Sequence, residues 1–275
     1  MAKKDVNNMS FLDHLEELRW HIIKAVISVF IFTIIAFICK DIIVGIIMAP
    51  KKMDFPTYVV LCHVSKFFGM DMTFCAQELP FEIIVTDISA QFTAHIWTSV
   101  FAGLIVAFPY VLYQMWAFIS PGLESKERKG SRGFIVVSSF LFFLGILFGY
   151  YVITPLSLNF LTNYTFSEEV SNKTNLSSYI SIVRSTSLAC GLVFELPIIV
   201  YFLTKIGLVT PQVLKKYRKF ALVAVLILAA IITPPDVASQ IIVAIPILIL
   251  YQLSIFISGI VLRREKKKQK NLVNS

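Results

Sequence analysis

Two acidic clusters stand out on a basic chain. Glu16 and Glu17 lie just before the first apolar segment, and Glu124 and Glu127 lie between the second and the third. The chain has 25 Lys and Arg against 17 Asp and Glu, and its net charge is +8. A carboxylate held in such a basic field beside a membrane is a candidate receptor for a guanidinium or ammonium group. The alternative interpretation is that both clusters are ordinary helix-surface acids, neutralised by neighbouring Lys and Arg.

The elements that position these acids are membrane helices. Hydrophobic residues make up 57% of the chain and charged residues 15%, and the mean hydropathy is +0.77. A membrane span needs about 20 apolar residues. Six segments are predicted to span the membrane: 20–38, 94–118, 134–153, 180–203, 220–232 and 237–260. Residues 1–262 are therefore predicted to form one all-α polytopic membrane domain, with an outer loop at 40–91 and a basic tail at 263–275.

The distribution of positive charge predicts the orientation. Nineteen of the 25 Lys and Arg residues lie in the N-terminal segment, the loops after spans two and four, and the tail. Five lie on the opposite side, and Arg184 lies inside span four. Cytoplasmic loops carry the excess of positive charge, so both termini are predicted to be cytoplasmic. The net charge is attributed to this bias and to contact with anionic lipid, not to binding of nucleic acid.

Glu195 is the acid placed deepest in a predicted span. It lies about 12 Å from the inner end of span four, and carboxylates at such depth usually face a cavity or a partner. We expect it to face a water-accessible cavity open to the cytoplasm. The alternative is a protonated Glu195 with a structural hydrogen bond. Such an acid could also serve a proton-coupled small-solute carrier, but the paired repeats typical of carriers are not visible in the sequence.

Enzyme motifs are absent from the sequence, and the four histidines and four cysteines do not fall at zinc-ligand spacings. We therefore expect no catalytic residues, no metal and no cofactor. Cys62 and Cys75 both lie in the outer loop, on the side where oxidation is favoured. We predict a disulfide between them, with Cys39 as the rival partner.

The fifth predicted span is unusually short. Its 13 residues, 220–232, cover only about 20 Å at 1.5 Å per residue. We therefore predict that spans five and six form a short hairpin that thins the bilayer. Thr233 and Gln240 lie at its outer end. They are either helix caps or hydrogen-bonding partners for another membrane helix.

Five ordered motifs, together with Pro109, resemble the TatC family, the multispanning subunit of the twin-arginine protein translocase. They are FLDHLEELR at 11–19, YQMWAFISPGL at 113–123, ER at 127–128, FELP at 194–197, and TPPDVASQ at 233–240 with AIP at 244–246. The resemblance covers roughly residues 10–50 and 87–260. Two features depart from the family pattern: the outer loop is longer and carries two cysteines, and Arg184 stands where an apolar residue is expected.

The resemblance implies a fold and a function. TatC proteins have six helices arranged as a concave cup, with both termini cytoplasmic, and they recognise the twin-arginine signal peptides of folded export substrates. Glu17 and Glu127 match the two carboxylates that receive the arginine pair, and Glu195 matches the acid within the cup. Arg is planar, permanently charged and bidentate with carboxylates, so two adjacent Arg suit two separated acids.

The resemblance assigns roles to further positions. Arg19, Phe118 and Pro50 match functionally sensitive family positions. Thr233 and Gln240 match the polar site where single-span TatA/TatB-type partners dock, and Asp236 belongs to the adjoining turn as a structural residue. The resemblance also implies a cytoplasmic (inner) membrane location and homo-oligomers within a larger complex.

Overall fold

The computed structural model of this chain describes residues 11–52, 54–69, 75, 81–119, 131–164, 173–232 and 237–273. In chain order the helices are α1 (Phe11–Ile38), α2 (Lys40–Met48), α3 (Pro56–Phe68), α4 (Ala90–Ile119), α5 (Ser131–Phe148), α6 (Thr154–Asn163), α7 (Leu176–Val193), α8 (Leu196–Lys205), α9 (Pro211–Lys216), α10 (Arg218–Ile232) and α11 (Val237–Val273). A 3-10 turn, Ala49–Lys51, follows α2, and a π-helical segment, Gly149–Ile153, joins α5 to α6. Strands β1 (Glu82–Ile84) and β2 (Lys173–Asn175) form a parallel pair that the sequence did not predict.

Five stretches of the described chain are long and apolar enough to cross a membrane. They are Leu15–Ile38, Ala90–Ile119, Gly133–Asn163, Leu176–Lys205 and Gln240–Arg263. These stretches confirm the predicted all-helical polytopic membrane fold. The other predicted span lies in α10, whose 15 residues rise only about 22 Å. Helix α11 continues to Val273, so the start of the basic tail extends the last span as a helix.

The chain divides into two compact units. Unit 1 comprises Met1–Ile46 and Val85–Phe140, and unit 2 comprises Ile47–Ile84 and Leu141–Ser275. Helices α1 and α4 are the main elements of unit 1, and the remaining spans lie mostly in unit 2.

Helices α1 and α4 of unit 1 pack antiparallel. His21 contacts Gln114, Thr33 lies against Gly103, and Phe37 stacks on His95, so residue numbers rise on one helix as they fall on the other. The close approach occurs at Gly103, where an added Cβ would lie 2.6 Å from the backbone N of Thr33 and 2.8 Å from its Cα. Glycine is therefore required there, because any side chain would push α1 away from α4.

The core of unit 2 is built on glycines that let α5 and the π segment approach α7. A Cβ on Gly145 would lie 2.6 Å from the Cys190 carbonyl oxygen and 2.8 Å from the Cα of Gly191. A Cβ on Gly149 would lie 2.8 Å from the Cα of Ser187. Small residues at such contacts let helix backbones pack closely in membranes. Around this contact lies the main apolar cluster: Ile153, Cys190, Val193, Val225, Ala229, Val243, Ala244 and Ile247.

At the strand-bearing end of unit 2, buried tyrosines hold the non-helical chain in place. The Tyr58 hydroxyl lies 3.2 Å from the Pro50 carbonyl oxygen and 3.1 Å from that of Pro155. The Tyr179 hydroxyl donates to the Ile47 carbonyl at 2.9 Å. Burial raises the pKa of Tyr58 well above its ordinary value, so this hydroxyl remains a hydrogen-bond donor at any physiological pH.

A disulfide joins Cys62 in α3 to Cys75. Cys39, the rival partner considered from the sequence, is an exposed free thiol, and Cys190 is a buried one. The bond closes a segment of 13 residues. In the chain-entropy picture, closing so short a loop in the unfolded chain stabilises the fold by about 3 kcal/mol.

Candidate functional site

A small polar and aromatic cluster lies in unit 1, where the N-terminal part of α1 packs on the C-terminal part of α4. His21 Nδ1 lies 2.7 Å from Gln114 Oε1, a hydrogen-bonding distance. The His21 ring is tilted by 58° against the Phe118 ring, with 6.4 Å between ring centroids. Gln114 is buried, with 4% of its surface exposed. A buried amide needs such a partner, because an unpaired one costs about 1–3 kcal/mol.

Glu17 lies beside this cluster. It precedes His21 by four residues, so both side chains share one face of α1. Phe118 follows Gln114 by four residues on α4, and the antiparallel register therefore places Glu17 level with Phe118. Glu17 as a whole is half-buried, but its Oε2 atom is buried and has no hydrogen-bond partner among the described residues. A buried carboxylate oxygen is stabilised by a cation or by a hydrogen-bond donor.

Arg19 and Glu16 are both exposed. The sequence singled out Arg19 through its family position alone, and the structure places it off the α4-facing side of α1. Glu16 serves as a natural comparison for Glu17, because it is the same residue type one position away but on the exposed side.

Three predicted site residues, Glu127, Thr233 and Asp236, lie outside the described residues. The role expected for Glu127 in the arginine site therefore depends on the sequence motif alone.

Glu195 lies in unit 2, at a break between two helices. Pro197 has no N–H to donate to the Val193 carbonyl, and its ring crowds that carbonyl, so α7 ends at Val193 and α8 begins at Leu196. Glu195 occupies the turn between them and is buried, with 8% of its surface exposed. The preceding Phe194 packs on Phe148, with ring centroids 5.6 Å apart, which fixes the turn. The cavity expected beside Glu195 stays a prediction.

Gln240 of unit 2 bonds within its own hairpin. Its Nε2 donates to the Leu226 carbonyl of α10 at 3.0 Å. This bond ties the start of α11 to the middle of α10, so the Gln240 amide bonds to another helix of the same chain and does not cap a helix end. The same side chain is half-buried rather than enclosed. Pro50, the remaining predicted position, is buried, and its carbonyl accepts from Tyr58.

The sequence did not assign His21 and Gln114 to the site. His21 was considered only as a zinc ligand, and Gln114 only as part of a motif. The available signal was spacing: His21 follows Glu17 by one helical turn, and Gln114 precedes Phe118 by one turn. No group of three or more metal-ligating side chains occurs among the described residues.

These features define a polytopic α-helical membrane protein with a partly exposed acidic site at the ends of two spans. Comparison with known proteins makes the assignment specific. A family model described as Sec-independent protein translocase protein (TatC) matches residues 13–246. The chain belongs to the TatC family. The resemblance inferred from the five sequence motifs is thereby confirmed.

Individual relatives agree with this assignment over nearly the whole chain. The Sec-independent protein translocase protein TatC of Blattabacterium sp. subsp. Periplaneta americana is 42% identical over 267 residues, covering 96% of this chain and 100% of that protein. TatCy of Bacillus subtilis is 33% identical, covering 97% of this chain and 95% of that protein.

Solved structures of a twin-arginine translocase receptor, TatC, are also similar. A crystal structure of that receptor matches with a TM-score of 0.68 at 33% identity, covering 90% of this chain and 99% of that one. A crystal structure of the receptor in DDM matches with a TM-score of 0.69. The chain is therefore a component of the Sec-independent protein translocase, and nothing in these comparisons favours the small-solute carrier considered from the sequence.

Proposed function

We propose that this chain is the signal-peptide receptor and core multispanning subunit of a twin-arginine translocase that exports folded proteins. The observation that carries this proposal is the buried Oε2 of Glu17, which has no hydrogen-bond partner among the described residues. An arriving guanidinium supplies two parallel N–H donors and a permanent positive charge, which together satisfy such a carboxylate. Glu127 is the second carboxylate, so that each arginine of the pair meets one acid.

The residues around Glu17 position it. His21 and Gln114 are hydrogen-bonded at 2.7 Å and join α1 to α4 one turn away from Glu17. Phe118 provides an aromatic surface level with Glu17, on which the planar face of a guanidinium can stack. Exposed Arg19 repels cationic segments that do not pair with the two acids, and this repulsion makes the site more selective.

The site faces the cytoplasm in this proposal. The positive-inside rule places both termini on the cytoplasmic side of the inner membrane, which is the side from which a newly made precursor arrives. Glu195 lies within the membrane-embedded part of unit 2 and lines the path open to that side. Its substitution by Gln is expected to impair export mildly, whereas Leu disrupts the groove more.

Single-span TatA/TatB-type proteins dock at the α10–α11 hairpin. Helix α10 is only 15 residues long, and the thinned bilayer around it favours coverage by another protein helix. Thr233 and the carbonyl oxygen of Gln240 are the polar partners for that helix. Site-directed crosslinking from positions flanking Gln240 tests this docking, because Gln240→Leu should weaken capture of the partner. Crosslinks that form only to lipid would contradict it.

The receptor role is tested by binding of a fluorescent twin-arginine signal peptide to the full-length protein in nanodiscs. Removing one partner of a desolvated ion pair costs at least about 2 kcal/mol, so Glu17→Ala should weaken binding about thirty-fold. Glu16→Ala is the matched control and should change binding little, because Glu16 is exposed.

Replacing the arginine pair of the peptide by two lysines should also weaken binding, and Glu17→Ala should add little to that loss. Equal affinity of the wild-type and Glu17→Ala proteins for the arginine peptide would contradict the assignment. Circular dichroism and gel filtration confirm that each variant is folded.

A further inference from the structure

Helix α3, Pro56–Phe68 of unit 2, has an unusual distribution of side chains. Val60, Val64 and Phe67 follow at spacings of four and three residues and therefore form one stripe along the helix. Their side chains are exposed, by 59%, 45% and 85% of their surface. A helix surrounded by water would instead turn such a stripe toward the protein core.

The opposite stripe of α3 holds the polar and crosslinked residues. Tyr58, Cys62 and Ser65 follow at the same spacing, about half a turn away. Tyr58 is fully buried and hydrogen-bonds backbone carbonyls, Cys62 carries the disulfide to Cys75, and the Ser65 hydroxyl donates to the Cys62 carbonyl at 3.1 Å. Tyr58 bonds this stripe to the Pro50 and Pro155 carbonyls, and Ser65 further along it is also buried, so this stripe faces unit 2 and the apolar stripe faces away from it.

The start of α3 is fixed to the far end of the third membrane span. Pro155 has no N–H to give to the Tyr151 carbonyl four residues earlier, and the Thr57 hydroxyl donates to that carbonyl instead. Tyr58 lies 3.1 Å from the carbonyl oxygen of Pro155 itself. Helix α3 therefore begins at the level of residues 151–155 of that span.

This level lies at the distance from the start of the span at which a membrane boundary is expected. The span begins at Gly133, and Tyr151 lies about 27 Å along it at 1.5 Å per residue, close to the thickness of a hydrocarbon core of about 30 Å. Three aromatic rings meet here: Phe55 stacks on Tyr151 at 5.3 Å and meets Tyr150 edge-on at 5.5 Å. Clusters of tyrosine are typical of the headgroup region.

We infer that α3 is an interfacial helix whose apolar stripe inserts into the outer leaflet of the bilayer. Val60, Val64 and Phe67 enter the boundary between headgroups and acyl chains, while the opposite stripe holds the helix to unit 2. Exposed Lys66 lies on one flank of the stripe, where its ammonium can reach lipid phosphates while its stem lies along apolar surface. The loop that sets this chain apart from its family pattern is thus an additional membrane anchor.

Spin-label accessibility in nanodiscs tests the inference on the full-length protein. Nitroxides are attached singly to Val60→Cys, Val64→Cys and, as the matched control on the flank, Lys66→Cys. The background carries Cys39→Ser and Cys190→Ala and keeps the Cys62–Cys75 bond by omitting reductant. Labels at 60 and 64 should relax several-fold more with oxygen, which partitions into lipid, than with a water-soluble nickel chelate. The label at 66 should show the opposite preference.

Two outcomes would overturn the inference. A nickel preference at 60 and 64 would place the stripe in water, and protection from both reagents would show that protein, such as a second copy of this chain, covers it. A further variant tests whether the apolar stripe itself causes insertion. The double substitution Val60→Asp and Val64→Asp should abolish the oxygen preference of a label at Phe67→Cys. An unchanged preference in that variant would also refute insertion.

Discussion

Units 1 and 2 both bring membrane helices into close contact through glycine, but they bury very different shares of those helices. In the most apolar 18 residues of each span, 6% are buried in Leu15–Ile38 and 22% in Ala90–Ile119 of unit 1, against 44% in Leu176–Lys205 and 33% in Gln240–Arg263 of unit 2. In the described part of unit 1, Gly103 is the glycine at the contact of α1 with α4, and α1 is largely exposed on its other faces. In unit 2 Gly145, Gly149 and Gly191 all lie at one crowded contact.

This difference in burial affects what each unit can do. An exposed pair of helices can hold a carboxylate such as Glu17 partly buried and still reachable by another molecule. Unit 2 instead pairs polar side chains in internal hydrogen bonds, such as Thr204 with Ser258 and Tyr251 with the Leu214 carbonyl, both at 2.8 Å. Substitutions at glycines and at a tyrosine hydroxyl of the two units test this comparison.

The largest effect is expected at Gly145. In Gly145→Ala the new methyl group would meet backbone atoms of α7, which cannot move away without disturbing the core of unit 2, so stability should fall by about 2–3 kcal/mol. Unfolding of the purified protein by a denaturing detergent measures this change. Gly259→Ala is the control, because a Cβ at Gly259 meets nothing within 4 Å, and it should be neutral or slightly stabilising. Equal stability of the two variants would show that unit 2 is not tightly packed there.

A smaller loss of stability, about 1 kcal/mol, is expected for Gly103→Ala. The added methyl group again meets backbone, that of Thr33, but α1 is exposed on its other faces and can shift. That shift should disturb the contact of His21 with Gln114, so peptide binding should weaken more than stability does. The two readouts are measured on one preparation. A loss of stability as large as that of Gly145→Ala would contradict the distinction between the units.

The smallest effect is expected for Tyr179→Phe. It removes the hydrogen bond to the Ile47 carbonyl without changing the packed ring, and such a bond contributes about 1 kcal/mol. Thermal unfolding of unit 2 should shift down slightly while signal-peptide affinity stays unchanged. Tyr164→Phe is the matched control, because Tyr164 is exposed. A change in peptide affinity without a change in stability would mean that Tyr179 serves binding and not support.

Much of the fold could be predicted from the sequence because apolar run length and loop charge act locally. Five predicted spans reappear as long apolar helices, and the short fifth span reappears as α10. Proline alone does not predict where a helix ends: one helix ends at Val193, before Pro197, whereas α4 continues through Pro109 and α11 through Pro246. The parallel strand pair could not be predicted, because two three-residue strands far apart in the chain carry no periodic signal.

Some features of the candidate site could likewise be predicted from the sequence, and others could not. Residue type singled out Glu17, because a carboxylate in a basic field is visible in one segment of the sequence, whereas Phe118 was singled out by the family motif alone. The contact of His21 with Gln114 and the buried Oε2 of Glu17 required the antiparallel register of α1 and α4. That register depends on the close approach at Gly103, between residues 70 positions apart. Only tertiary structure could decide it, because the steric fit of two backbones is a property of the pair and not of either helix alone.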